Sequence, residues 1–283
     1  MKKIGFVDYY ISEWHANNYP AWIKEINDKN GDDFEVKYAW AEIETSPVDG
    51  ITTDEWCKNY GVEMCDTIEE LCAKSDYIFI LAPSNPETHL RLAKEVLKCG
   101  KHIYIDKTFA PDYKTAKEIY DIAEGYGAKI FSTSALRYAE ELAEFSGKCD
   151  TTTIFGSGDT IEEYVIHQVE MLVKLMGVGA DSVRVEQNAD QYNVRILYKD
   201  GRAANIIFCE NYGMPTGFIP HTKEKASNYI AVKSEFFKNL MASILEFFKT
   251  GEAAFKKEET FEVMKIRETI IKAKALNGQW VKI

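Results

Sequence analysis

Three side chains of this 283-residue sequence have the types and the spacing that proton-transfer chemistry needs. Lys107 follows Asp106 at the end of a strand-like run, residues 102–105, and the carboxyl ends of parallel strands are where open α/β sheets bind ligands. Glu163 and His167 are four residues apart in a predicted helix, so their side chains share one face. Because a histidine with an ordinary pKa of about 6.5 exchanges protons readily near neutral pH, the pattern indicates acid–base chemistry.

Each of these residues also has a simpler interpretation. Lysines are mostly exposed, so Lys107 can be a solvated surface residue. Glu163 and His167 can form an ordinary helical pair. Glu170 extends the same stripe, but no further cluster of strong ligands accompanies it, and we expect no metal. The six cysteines include no C-x-x-C pair, and a chain of this length in a reducing compartment needs no disulfide.

The predicted secondary-structure elements that would position these residues show two different patterns along the chain. Up to residue 137, short apolar runs alternate with segments of helical periodicity, which predicts a Rossmann-like, doubly wound parallel sheet. From residue 138, three alternating strands follow one another closely between helices, which predicts a smaller α+β domain with a mainly antiparallel sheet. The sequence therefore predicts an α/β protein with a dinucleotide-type domain at 1–137 and a substrate and dimerisation domain at 138–283.

Composition narrows the classes of partner. The formal net charge is −11 and no basic cluster occurs, which argues against a nucleic-acid partner. No segment approaches the roughly 20 apolar residues that span a bilayer, so no membrane partner is expected. The charged residue Asp8 comes too early for the apolar region of a secretory signal. We expect a cytoplasmic protein that acts on a small molecule.

Four segments, in this order, are similar to motifs of the glucose–fructose oxidoreductase / inositol dehydrogenase (Gfo/Idh/MocA) family. Residues 80–85, with His89 shortly after, resemble the third-strand segment that borders the nicotinamide. Residues 101–108 resemble the glutamate-lysine-proline signature, with aspartate in place of the glutamate and threonine in place of the proline. Residues 163–167 resemble the Asp-x-x-x-His motif, and residues 236–281 resemble the C-terminal helix pair and last strand.

The resemblance implies an oxidoreductase that transfers hydride between NAD or NADP and a sugar, polyol or related hydroxy compound. His167 would be the base, and Lys107 would be the cation that stabilises the developing alkoxide. Glu163 would contact a neighbouring group of the substrate. Arg137 and Glu170 would bind substrate, although Arg137 can equally tie the chain at the domain crossover. The predicted cofactor-binding residues are Asp8, Tyr9, Tyr10, Ile11, Pro83, Ser84, Asn85, His89 and Asp106. For His89, a structural role is an equal alternative. Relatives pair through the second sheet, so a homodimer or higher homo-oligomer is expected.

The first turn departs from this family. A dinucleotide fold has G-x-G-x-x-G there, so that backbone N–H groups can approach the pyrophosphate, but no glycine follows the first strand here. Asp8 stands where the first glycine would be, and a carboxylate about 4 Å from a phosphate costs about 4 kcal/mol at an effective dielectric of 20. Two interpretations remain open. One is a divergent NAD(P)-dependent oxidoreductase. The other is a protein that has lost dinucleotide binding and serves as a non-redox sugar-binding or regulatory protein, or as a lyase or isomerase.

Overall fold

The computed structural model describes residues 1–224 and 227–283 and divides the chain into two units. The first unit comprises Met1–Thr133 and Leu240–Ala254, and the second comprises Ser134–Asn239 and Phe255–Ile283. The sequence-based division between residues 137 and 138 lies close to the first crossing. It does not include the return of residues 240–254 to the first unit.

The first unit is a parallel sheet with helices. Its strands are β1 (Lys2–Asp8), β2 (Phe34–Ala41), β3 (Glu63–Met64), β4 (Tyr77–Ile80), β5 (His102–Ile105) and β6 (Lys129–Phe131). Its helices are α1 (Trp14–Asn30), α2 (Thr53–Tyr60), α3 (Ile68–Lys74), α4 (Pro86–Val96) and α5 (Tyr113–Tyr126). The strand order is β3-β2-β1-β4-β5-β6, and every pairing is parallel. This confirms the predicted Rossmann-like sheet.

The central strands are apolar because both faces of the sheet are covered. Residues 78–80 and 103–105 are fully buried. Gly5 in β1 lets α3 approach closely, since a Cβ atom there would lie 2.5 Å from side-chain atoms of Leu71 and Ser75. Phe248, from the returning segment 240–254, completes this core by stacking on Tyr77 at 4.9 Å between ring centroids.

The second unit is built on a mainly antiparallel sheet, as predicted. Its strands are β7 (Thr151–Gly158), β8 (Ala180–Asn188), β9 (Gln191–Tyr198), β10 (Ala203–Glu210), β11 (Gly217–His221), β12 (Ile230–Ala231) and β13 (Trp280–Lys282). The helices that follow β7 and β12 are α6 (Ile161–Met176), α7 (Phe236–Thr250) and α8 (Lys257–Ala275), with most of α7 belonging to the first unit. The strand order is β12-β11-β7-β10-β9-β8-β13, and among the described pairs of this second sheet only β7–β10 is parallel.

In the part of the chain that the structure describes, no helix combines the length and the apolar character needed to cross a membrane.

Candidate functional site

The candidate site in the first unit lies at the carboxyl ends of β1, β4 and β5. The strand order reverses between β1 and β4, and open α/β sheets bind ligands at such a switch point. Asp8 ends β1, Ala82 follows β4, and Asp106 and Lys107 follow β5 directly. The fold therefore brings together residues that are up to about a hundred positions apart in the sequence.

Asp8 is a buried carboxyl group, with 1% of the residue exposed. Its Oδ1 atom accepts hydrogen bonds from the N–H groups of Tyr9, at 2.7 Å, and Ala82, at 2.9 Å. Its Oδ2 atom is buried without a hydrogen-bond partner among the described residues. Burial, together with the charge of Glu13, raises the pKa of Asp8 well above its ordinary value. The protein's own N–H groups therefore fix the position of the Asp8 carboxyl group.

Ala82, the donor to Asp8, has a strained backbone. Its φ is +51°, in the left-handed region that residues other than glycine adopt rarely. This conformation directs its N–H group at the Asp8 carboxylate, 2.9 Å away. Such strain persists where the surrounding structure fixes the conformation, as it does at many functional sites.

The N-terminus of α1 is capped by a glutamate. The Glu13 side chain accepts hydrogen bonds from the N–H groups of His15, at 2.7 Å, and Ala16. These are donors of the first helical turn, which otherwise lack partners and attract anions. Burial raises the pKa of Glu13 above its ordinary value, although His15 and the two N–H groups partly offset the effect. The protein's own carboxylate therefore fills the anion position of α1.

Asp106 holds a histidine and a tyrosine of α1. Its Oδ2 atom is hydrogen-bonded to His15 Nδ1 and accepts from the Tyr19 hydroxyl at 3.2 Å, while Oδ1 accepts from the Lys107 N–H at 2.7 Å. The rings of His15 and Tyr19 stack with centroids 5.3 Å apart. Burial opposes ionisation, but the attraction of His15 and Lys107 outweighs it, so the pKa of Asp106 is lowered.

Three residues of this cluster were not predicted from the sequence: Glu13, His15 and Tyr19. Their signal was local, because His15 and Tyr19 are four residues apart at the start of a helix and Glu13 immediately precedes it. The partner that gives them a role, Asp106, is 91 residues from His15, and only the fold brings the two together.

Lys107 lies beside the connection from β4 to α4. Its Nζ atom donates to the carbonyl oxygen of Pro83 at 3.3 Å, and 9% of the residue is exposed. The predicted cofactor residues Pro83, Ser84 and Asn85 belong to this connection. The interpretation of Lys107 as a solvated surface lysine is therefore wrong.

His89 is a buried structural residue rather than a wall of a ligand cleft. It is fully buried, and its ring lies between two carbonyl oxygens, with Nε2 2.6 Å from Leu81 O and Nδ1 3.0 Å from Phe109 O. Burial lowers the pKa of His89. Of the two roles predicted for this residue, the structure supports the structural one, because both ring nitrogens are bonded to the protein's own carbonyl groups.

The segment after β2 is hydrogen-bonded to the first turn, the segment that follows β1. The N–H groups of Glu42 and Ile43 donate to the carbonyl oxygens of Asp8, at 3.1 Å, and Tyr9, at 2.9 Å, so the β1–β2 pairing continues beyond the strands. Ser46 Oγ donates to Ser12 O at 2.8 Å. In addition, Ser12 Oγ donates to Asp49 at 2.7 Å, and Ile11 is buried. The rings of Tyr9 and Tyr10 pack edge to face next to this closure.

These residues do not fit the pyrophosphate of a dinucleotide. The first-turn N–H groups of α1 that would bind it are bonded to Glu13, and Asp8 adds a second buried carboxyl group with an unpartnered oxygen among the described residues. The N–H groups of Glu42 and Ile43 are bonded to the carbonyl oxygens of Asp8 and Tyr9, which extends the pairing of β1 with β2 into the first turn. The side chains of Asp8, Ile11 and Asp106, which were predicted to contact a cofactor, are all buried, and a cofactor contact by them stays a prediction.

The second unit positions the other predicted acid–base residues on α6. Thr160 caps this helix by accepting from the N–H of Glu163, at 3.4 Å. His167 lies one turn further on, and its Nδ1 atom is hydrogen-bonded to Ser134 Oγ at 2.5 Å. Glu163 and His167 are both half-buried. The pair therefore has the shared face and partial exposure that the sequence predicts, and its role in catalysis stays a prediction.

Arg137 and Glu170 form a buried ion pair. Arg137 Nη1 donates to Glu170 at 3.1 Å, Nη2 is bonded to Glu259, and the guanidinium lies 3.8 Å from the ring centroid of Phe255. Glu170 also accepts from the N–H of Ser134 at 3.2 Å. This arrangement supports a structural role for Arg137 and Glu170, while substrate binding by them stays a prediction. Within the described residues, no group of three or more metal-ligating side chains could hold a metal ion.

The pKa of Asp8 leads to a testable dependence of stability on pH. A carboxyl group with a raised folded-state pKa contributes its stability fully below its unfolded pKa of about 4, and that stability is lost as pH rises through the folded pKa. Asp8→Asn, which keeps an acceptor oxygen, is therefore expected to be more stable than the wild type at about pH 8, with the gain vanishing near pH 4. Urea unfolding at both pH values measures the difference.

The matched control is Asp66→Asn, at an exposed carboxylate of the same unit. It is expected to change the unfolding midpoint little at either pH. An Asp8→Asn variant that loses stability at about pH 8 would contradict the buried, raised-pKa description of this group.

Comparison with known proteins places the fold. Residues 46–134 match the Gfo/Idh/MocA family model, described as an oxidoreductase family with an NAD-binding Rossmann fold. Two uncharacterized oxidoreductases of Schizosaccharomyces pombe match shorter stretches. One is 35% identical over 57 residues, which make up 20% of this chain and 16% of that protein. The other is 30% identical over 93 residues, 32% of this chain and 24% of that protein.

Solved structures resemble the whole chain. The UDP-N-acetylglucosamine 3-dehydrogenase GnnA from Acidithiobacillus ferrooxidans has a TM-score of 0.77 at 12% identity, covering 96% of this chain and 97% of that chain. GenD2 from gentamicin A biosynthesis, solved in complex with NAD, has a TM-score of 0.77 at 13% identity, covering 100% of this chain and 97% of that chain. At such identities the likeness shows the fold alone. The match over residues 46–134 and the shared fold confirm the resemblance found in the sequence: residues 46–134 are similar to the Gfo/Idh/MocA family, an oxidoreductase family with an NAD-binding Rossmann fold, and the whole chain has the fold of the solved dehydrogenases.

Proposed function

We propose that this protein acts on a sugar or a related hydroxy compound by proton transfer, as a lyase or isomerase, without a dinucleotide bound at α1. The observation that carries the proposal is the Glu13 carboxylate on the first-turn N–H groups of α1. A phosphate would have to displace a buried carboxyl group from those donors and remain next to Asp8. Loss of the pyrophosphate site removes hydride transfer and leaves the acid–base residues.

His167 is assigned the role of the base in this proposal. Its bond to Ser134 fixes the orientation of the ring, and its partial exposure leaves room for a substrate proton to approach. Glu163, one turn earlier on α6, is assigned a contact with neighbouring hydroxyl groups. The role predicted for Lys107 of the first unit, the stabilisation of negative charge on a substrate oxygen, stays a separate prediction.

Solvent exchange tests this proposal whatever the final product is. A base that removes a proton from carbon next to a carbonyl group returns a deuteron in D2O, so a panel of aldoses, ketoses and sugar acids is followed by NMR with no nucleotide added. We expect exchange at one carbon of at least one panel member. His167→Asn is expected to slow it by about 100-fold or more.

The matched control is His221→Asn, because His221 is exposed at the end of β11 in the same unit. It is expected to keep the wild-type exchange rate. Exchange that is absent across the panel, or that survives His167→Asn unchanged, would refute the assignment of proton transfer to His167.

A second candidate is the NAD(P)-dependent oxidoreductase that acts on a sugar, polyol or related hydroxy compound. It is supported by the family match over residues 46–134 and by the position of Lys107 at the end of β5. Titration with NADH and NADPH, followed by calorimetry, separates the two candidates. The first predicts no saturable binding up to about 1 mM, whereas a micromolar Kd would favour the oxidoreductase.

A further inference from the structure

Two of the six cysteines meet in the first unit. Cys72 lies on α3 and is 6% exposed, while Cys99 ends a short 3-10 turn, residues 97–99, and is half-buried. The two side chains are close enough for each thiol to affect the pKa of the other. Both line one cavity of about 520 Å³ at the surface of this unit. A pair consisting of a reachable thiol and a shielded neighbour is typical of redox-responsive cysteines.

Lys101 is fixed beside this pair. Its Nζ atom donates to the carbonyl oxygen of Cys72 at 2.6 Å and to that of Ser75, so the ammonium group cannot swing away freely. It lines the same cavity as the two thiols. A lysine next to a thiol favours the thiolate, which is the reactive nucleophile.

Cys99 differs from the other thiols in its acidity. The neighbouring Cys72 thiol, with smaller contributions from the Lys101 N–H and ammonium groups, outweighs burial and lowers the pKa of Cys99 to about 7. Burial instead raises the pKa of Cys57 to about 12 and those of Cys65 and Cys149 to about 11. Oxidation of exposed, low-pKa thiols is correspondingly selective.

We propose that Cys99 and Cys72 are a peroxide-reactive site, in which Cys99 is oxidised first and Cys72 then closes a disulfide. In the first step the Cys99 thiolate attacks hydrogen peroxide, an S–O bond forms, the O–O bond breaks and hydroxide leaves. In the second step the Cys72 sulfur, losing its proton, attacks the sulfenic sulfur and the oxygen leaves as water. The balance is two thiols and one hydrogen peroxide giving one disulfide and two waters. The closed bond would link α3 to the turn that follows α4.

The experiment uses the full-length protein, reduced and then treated with hydrogen peroxide, with and without dimedone to trap sulfenic acid. We expect the number of titratable thiols to fall from six to four, and peptide mapping to find the Cys72–Cys99 link. Cys72→Ser is expected to accumulate a dimedone adduct at Cys99, because the resolving thiol is gone. The oxidation rate is expected to rise with pH, with a midpoint near the Cys99 pKa of about 7.

Cys65→Ser serves as the matched control, since Cys65 is a buried thiol of the same unit and its loss is expected to leave the cross-link intact. Cys99→Ser is expected to abolish both the link and the dimedone adduct. Adducts spread over several cysteines, or an adduct at Cys99 with no link in the wild type, would overturn the proposal. The readout is independent of sugar exchange, so failure of one leaves the other standing.

Discussion

Asp106→Ala is expected to destabilise the first unit by about 3–5 kcal/mol. The substitution removes the shared acceptor of His15, the Tyr19 hydroxyl and the Lys107 N–H group, all in a buried setting. Burying donors without partners costs free energy for each of them, and at 1% exposure bulk water cannot reach the site to replace the carboxylate.

Tryptophan fluorescence can follow this effect in one unit. Four of the five tryptophans belong to the first unit, so a Trp280→Phe background restricts the signal to it. Asp106→Asn in the same background is the control, because its amide oxygen still accepts from Lys107 N–H and the loss should be smaller. A loss below about 1 kcal/mol for Asp106→Ala would show that the cluster does not depend on this carboxylate.

The second large effect is expected for Arg137→Met, at about 3–5 kcal/mol in the second unit. Arg137 neutralises Glu170, whose side chain is only 4% exposed, and removing one member of a buried pair leaves an uncompensated charge. Peptide-resolved hydrogen exchange is the measurement, because it reports the protection of α6 separately from the first unit.

Two further variants distinguish charge from packing at this site. The double variant Arg137→Met with Glu170→Gln removes both charges of this buried pair and should regain part of the lost protection. Glu259→Gln should cost less than about 1 kcal/mol, because the Glu259 side chain is 28% exposed and screened. If the double variant were no more stable than Arg137→Met alone, the loss would have to come from the packing of Arg137 on Phe255.

Much of the fold was accessible from the sequence because its signals are local. The apolar runs at β4 and β5 predicted strands of a parallel sheet, and both strands are buried. The period-two pattern after residue 180 predicted the antiparallel strands. Such patterns depend on neighbours within a few residues, which the sequence shows directly.

The candidate site was less predictable because its contacts are long-range. Glutamate is an unusual cap, so the position of Glu13 directly before α1 was only a weak signal that its side chain would cover the start of the helix. Asp106 was predicted to contact a cofactor, and its hydrogen bond to His15 could not be predicted from the sequence. The helical periodicity of α7 likewise could not reveal which core it joins, since an apolar face suits either unit.

The return of residues 240–254 to the first unit has a consequence for how the protein is made. The chain crosses between the units three times, after Thr133, Asn239 and Ala254. A ribosome must therefore release most of the polypeptide before Phe248 can reach Tyr77 and complete the first core. Until then, the part of the first unit that has already been synthesised exposes an apolar surface, which favours aggregation or chaperone binding. For the same reason, neither unit can be exchanged by recombination as one continuous gene segment.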